Sequence, residues 1–489
     1  MTAAVAVVAL AACTFGGGDG GGSAGEESGR RPTASAAPPA ATQAPEPAPV
    51  PPLPSTPPWR DRPVVDLSFD LSDGLAVVSG RERVVFTPDR RTCQVVFRLW
   101  ANKPETVQHG NALRVTEARL DGRRVRPSFE ARGAPASVQG SLMRLPVPAC
   151  LRPGRPVRID VRFALTLGPR TPERLGRSDD LAWMATAFPL LAWERGRGWA
   201  TNPVVDQQGE MVGSEEFRLR RLAVVVPDRY DVLGTGRPLG RSQGPRPGTA
   251  VEAFTARAVR DVAVTAGALD VVEREVDGVD VHVGGPRSGT AMSLQQWADE
   301  SARAIRELAD YLGPFPYPDL WVSVIPDCPS GVEFPGAIQY ADVPPGVPVL
   351  ELLVSHETAH MWFYGVVGNN QGRDPWLDES FASFAQALVD GEQAPAFGVP
   401  RVARDQVGRS MAWWSTPRTR AAYGPGVYSQ GSQMLLEARA AAGPDRFDSL
   451  LREYVADNAH RIATPDDVRR AFATEPGVVE ILESYGALR

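Results

Sequence analysis

The segment His356-Glu357-Thr358-Ala359-His360 restricts the backbone more tightly than any other stretch of this chain. Residues four apart share one face of a helix, so a helical segment lets His356 and His360 offer two imidazole nitrogens to one tetrahedral ion. The flanks agree with a helix, since Pro348 suits its opening and Gly365 its close. Glu357 follows the first histidine directly and is placed to take a proton from an attacking water. Only five histidines occur in the chain, and His109, His282 and His460 lack spaced partners and read as structural or surface residues.

A metal site open for catalysis needs a third protein ligand and leaves one position to water or substrate. Asp374-Pro375 signals a second helix start, followed by Trp376-Leu377-Asp378-Glu379-Ser380-Phe381. Eighteen residues separate His360 from Glu379, giving HExxH-x18-E. A three-histidine site is excluded, because Phe363 and Val366 stand where HExxHxxGxxH requires Gly and His. Asp378 is the rival to Glu379, but one residue turns it about 100° around a helix. Four cysteines, at 13, 93, 150 and 328, match no metal-binding spacing.

The remaining chain divides by composition and period. Residues 14–61 are rich in Gly, Ser, Ala, Pro and Thr, which cannot bury enough apolar surface to offset ordering entropy, and read as a disordered linker. From 62 to 267 the pattern is that of strands. Val157 to Thr166 alternates apolar and polar residues, and Gln94–Trp100, Phe217–Val226 and Val262–Val264 fit further strands. Residues 268–489 mix strands and helices. Ser293 and Gln296 form a capping-box pattern, after which Leu294, Trp297, Ala298, Ser301, Ile305, Leu308 and Leu312 fall on one helical face before Gly313. Asp319–Ile325 suits a buried strand, and Thr464-Pro465 opens a late helix. The class is α+β: a β-rich N-terminal domain, then a mixed strand lobe and a helical lobe.

Composition limits the partners. The 489 residues, 43% hydrophobic and 22% charged, suffice for at least two cores, and a net charge of −6 gives no electrostatic case for nucleic acid. No stretch reaches the roughly 20 apolar residues of a spanning helix. Leu10-Ala11-Ala12-Cys13 ends an apolar N-terminal run and precedes a glycine-rich stretch. This pattern resembles a bacterial lipoprotein signal over residues 1–13, which implies an exported protein anchored to the membrane through a lipid at Cys13. In an oxidising compartment Cys93 and Cys150 are expected to pair, leaving Cys328 free.

The segments HETAHMWFYGVVGNNQ and PWLDESFA together resemble the aminopeptidase N and leukotriene hydrolase family of gluzincin metallopeptidases. The resemblance covers roughly 62–489 and is strongest from 313 to 440. It implies a saddle-like β domain, a thermolysin-like catalytic domain and one Zn²⁺ per chain, held by His356, His360 and Glu379, with Glu357 as general base. Ser330-Gly331-Val332-Glu333-Phe334-Pro335-Gly336 is similar to the family's exopeptidase loop. Glu333, with Gly331, thereby acquires a substrate-binding role toward a free α-amine. Tyr428-Ser429-Gln430-Gly431 is similar to the family's Tyr-x-Lys-Gly segment, with Gln430 in place of lysine. Tyr428 is thereby assigned to the oxyanion. The implied function is a zinc aminopeptidase acting on peptides. Two alternatives stay open: an endopeptidase variant, and a catalytically silent surface lipoprotein that binds peptides or a partner.

Overall fold

The computed structural model describes residues 55–488 apart from 170–173, 207–210, 327–329, 344–348 and 392–403. Cys13, most of the Pro/Ala/Gly-rich linker, Cys328 and Pro348 lie outside the described residues.

The N-terminal half is built on strands whose side chains alternate between core and solvent. Val157–Thr166 shows this most plainly, with Val157, Ile159, Val161, Phe163 and Leu165 buried and the residues between them outward. Eight strands form one sheet. Its centre is Val64–Asp70, parallel to Phe217–Pro227 on one side and antiparallel to Val77–Phe86 on the other. Two four-stranded sheets and the two-stranded pair Trp193–Glu194 and Gly198–Trp199 accompany it, and the four-stranded sheets share one core with the large sheet. Cys93 and Cys150 form a disulfide between the paired strands Thr92–Arg98 and Leu142–Leu151.

The second half begins with the hairpin of Leu269–Val276 and Val279–Pro286, two strands of a five-stranded mixed sheet. Asp319–Ile325 lies parallel to both Val279–Pro286 and Ala337–Ala341, and Gly331–Phe334 closes the edge. The helix Leu294–Leu312 starts at the capping box of Ser293 and Gln296 and stops at Gly313, whose φ is 99°. Its apolar face enters the core, where Trp297 stacks on Tyr340 at 5.0 Å. The strand lobe followed by helices to the C-terminus is the α+β arrangement.

The two halves are pinned together close to the metal motif. Arg260, 1% exposed, donates to the carbonyls of Gly365 and Ser214, both at 3.1 Å. Asn370 is bonded to Glu194, and the amide of Val212 donates to Gln371 Oε1 at 2.9 Å. The contacts of Gly365, Asn370 and Gln371 join the β-rich half to the segment that follows the histidine helix, and the Ser214 contact holds Arg260 in place. The motif is thus braced from outside its own lobe.

Candidate metal centre

The histidine helix runs Val349–Ala359. It ends six residues before Gly365, contrary to the expectation that this glycine would close it. His360 lies in a tightened final turn in which Met361 N bonds Thr358 O and Trp362 N bonds Ala359 O. Bonds of wider span, from Gly365 N to His360 O and from Val366 N to Met361 O, then turn the chain away. Three-residue bonding has taken over before glycine is needed, and Gly365 is instead required by close approach: a Cβ there would stand 2.4 Å from Met361 O.

The carboxylate helix Trp376–Val389 carries Asp378 and Glu379 in its first turn. An aromatic stack sets it against the histidine helix: Phe363 lies on Phe381 at 5.0 Å, and Phe381 continues to Trp376 at 5.9 Å and Tyr454 at 5.6 Å. Because Phe363 follows His360 by three residues and Phe381 follows Glu379 by two, this packing determines how the ligands face one another. All four rings are almost fully buried.

His356 Nε2 and His360 Nε2 are 3.2 Å apart, and Glu379 Oε2 is 3.3 Å from the first and 3.4 Å from the second. A tetrahedral zinc with ligands at 2.0–2.1 Å would hold any two of them about 3.3 Å apart. The three atoms therefore already stand at the edge length of such a site. His360 Nδ1 is 3.2 Å from the carbonyl of Phe363, a contact that directs Nε2 inward. Glu379 Oε2 and Glu357 Oε2 are buried without a hydrogen-bond partner, as expected of atoms that await a cation or a water. Asp378 is turned away: its Oδ1 accepts from the Glu379 amide at 2.9 Å. Burial, then the Glu379 charge, raises its carboxyl to about 8.

Charge accumulates around these ligands. Burial and the neighbouring Glu333 push Glu357 well above the usual carboxylate range, whereas Glu379, despite burial, is held far below it by the two histidines beside it. Ligand atoms of Glu333, Glu357 and His360 lie within 4.8 Å of one another, which sets Glu333 beside the general-base candidate. A Cβ at Gly331 would stand 2.4 Å from Glu357 Cγ and Oε1, so only glycine lets this edge strand approach the glutamate so closely. Tyr428 lies on a π-helical turn, Gly424–Ser429, with its ring stacked on His356 at 5.6 Å. Ser380 Oγ donates to the carbonyl of Val427 at 2.6 Å and anchors that turn to the carboxylate helix. Tyr423 meets the Tyr428 ring edge-on at 5.8 Å.

All seven residues singled out from the sequence thus fall in one neighbourhood. Sequence reasoning missed Gln371, whose Nε2 reaches Glu333 Oε1 at 3.4 Å, and Arg174 of the β-rich half, whose charge acts on Glu333 and Glu357. Gln371 lies in a loop without periodicity, and Arg174 is almost two hundred residues from the motif, so neither carries a local signal. The other histidines stand apart. His282 stacks on Trp321 at 3.9 Å, and His460 contacts Glu216 at 2.6 Å.

Residues 347–485 match the Peptidase family M1 domain. The chain is 27% identical over 237 residues to an aminopeptidase N from Lactobacillus delbrueckii subsp. lactis, covering 42% of this chain and 28% of that protein. It is 34% identical over 96 residues to a puromycin-sensitive aminopeptidase from Caenorhabditis elegans, covering 17% and 10%. The matched region thus spans little more than a quarter of the length of the first of these relatives. An M1 zinc metallopeptidase from Deinococcus radiodurans shares the fold, with a TM-score of 0.61 at 20% identity over 87% of this chain and 93% of that one. A variant of that enzyme has been solved bound to a Tyr-Ser-Ala substrate, with the same TM-score. The matched segment spans both helices that carry the candidate ligands, and over it this chain is similar to the M1 family of peptidases.

Proposed function

We propose that the protein is a zinc-dependent aminopeptidase that removes N-terminal residues from peptides. One observation carries this reading: the Glu333 carboxylate stands beside both the general-base candidate Glu357 and the ligand His360. His356, His360 and Glu379 would hold a zinc ion, which when bound would supply Lewis acidity toward a water and a scissile carbonyl. Glu357 accepts the proton of the attacking water and passes it to the departing amine. The Tyr428 hydroxyl turns from Glu379 to the substrate and donates to the developing oxyanion, a contact worth about 3 kcal/mol. Glu333, supported by Gln371, accepts hydrogen bonds from the cationic α-amine, and Gly331 gives the strand the room to bring it there. The M1 structure holding a tripeptide supports peptides as the substrate class.

The test is hydrolysis of free and N-acetylated aminoacyl arylamides by the wild type and Glu333→Ala. An aminopeptidase cleaves only the free set, and the variant loses most of that activity. Equal cleavage of both sets by the wild type would show an endopeptidase instead.

We further infer export and lipid anchoring at Cys13, with a linker over 14–61, a β-rich domain over 62–267 and a catalytic domain over 268–489. The Leu10-Ala11-Ala12-Cys13 run supports the anchor, and the Cys93–Cys150 disulfide fits an oxidising compartment. Mass spectrometry of the mature N-terminus tests this reading, and an unmodified residue before Cys13 contradicts it.

A further inference from the structure

The outward face of the eight-stranded sheet holds a hollow of about 480 Å³, lined by residues other than those of the metal centre. Six arginines line it, Arg81, Arg83, Arg119, Arg158, Arg162 and Arg221. Three outward carboxylates, Asp66, Glu117 and Asp160, accompany them, while the Glu82 side chain turns to the buried face. The strand register arranges these residues in rows. One row alternates in sign across five strands: Arg221, Asp66, Arg83, Asp160, Arg119. The next row reads Ala223, Ser68, Arg81, Arg162, Glu117, and so sets two guanidinium groups directly opposite each other. Like charges in that relation repel.

The carboxylates are already committed. Asp160 accepts from Arg83 at 2.9 Å and from Arg158 at 3.1 Å. Glu117 accepts from Arg119 at 2.6 Å and lies 3.7 Å from Arg162. Asp66 is gripped at both oxygens by Arg220. The side chains of Arg81 and Arg221 make no hydrogen bond or ion pair with other described residues, and Ser68 beside Arg81 adds a hydroxyl donor without charge.

We propose that this hollow binds a compact polyanion bearing phosphate groups. A carboxylate is satisfied by one guanidinium fork, whereas phosphate oxygens accept from several forks at once, which suits Arg81 and Arg162 side by side. A recessed floor admits such an ion more readily than a flat bilayer. Because the whole chain carries −6, long-range attraction does not draw in an anion, and binding depends on this local cluster.

The experiment is calorimetric titration of the full chain with inorganic tripolyphosphate at low ionic strength, alongside thermal melts. The expected result is one saturable site, weakened about tenfold or more by Arg81→Ser or Arg162→Ser and unchanged by Arg306→Ser on the helix Leu294–Leu312, outside the hollow. Without the ion, Arg81→Ser melts no lower than the wild type, because the repulsion is relieved; with it, the wild type gains more stability than Arg81→Ser does. The proposal is overturned by absence of saturable binding, or by binding that both substitutions leave intact. Attachment to phosphatidylglycerol vesicles without tripolyphosphate binding also overturns it.

Discussion

Tyr428 donates its phenolic hydrogen to Glu379 Oε1 at 2.5 Å, while the other oxygen of the same carboxylate faces both histidines. The proposed oxyanion donor is therefore tied directly to a proposed metal ligand. Burial, followed by the Glu379 charge, pushes the Tyr428 hydroxyl well above its usual range, so it stays protonated and able to donate. Tyr428→Phe should lower kcat about 10²- to 10³-fold while metal content stays near that of the wild type. Parallel loss of metal and activity would mean that the tyrosine serves only to hold Glu379.

Gly331 gives a test of packing against chemistry. A methyl group there meets the Glu357 side chain, so Gly331→Ala should displace the general base without touching a ligand. Activity should fall by about 10²-fold or more, as expected for a misplaced base, with metal content retained. Wild-type kcat in this variant would show that the strand yields instead.

The aromatic stack predicts a coupling between stability and metal affinity. Phe381 is fully buried between Phe363 and Trp376. Phe381→Ala should cost about 3–5 kcal/mol and also weaken metal binding, because the same ring orients the two ligand helices. Denaturant titration and metal competition, run on one preparation, separate the two effects.

Glu215 predicts a pH dependence of stability. Burial raises its carboxyl from 4.5 to about 7, against the opposing charge of Arg195. Between those values the folded chain binds more protons than the unfolded one, so this group erodes stability as pH rises from about 4.5 to 7. Glu215→Gln keeps an acceptor for the Arg195 amide, 2.9 Å away, and should raise Tm at pH 8 but hardly at pH 4. An equal gain at both values would contradict the assignment.

Legibility in the sequence followed the range of the interactions. Helix Leu294–Leu312, with its capping box, and strand Asp319–Ile325 are fixed by local periodicity, and the structure has both at the expected residues. The α+β class was legible for the same reason. The His356, His360 and Glu379 spacing was readable because helices turn side chains at regular intervals. The end of the histidine helix was not, since competing three- and five-residue bonds decide it rather than Gly365. The parallel pairing of Val64–Asp70 with Phe217–Pro227 left no local trace, and neither did the Gln371 contact with Glu333. Both depend on segments far apart in the chain.

The central claim is that two imidazoles and one distant carboxylate share a single zinc ion. Elemental analysis of purified wild type, Glu379→Ala and Glu357→Gln after dialysis tests it most directly. The expected result is one zinc per chain in the wild type and in Glu357→Gln, with the latter almost inactive, and zinc largely lost from Glu379→Ala. Zinc retained in full by Glu379→Ala, or a wild type that neither holds zinc nor regains activity when zinc is supplied, would contradict it.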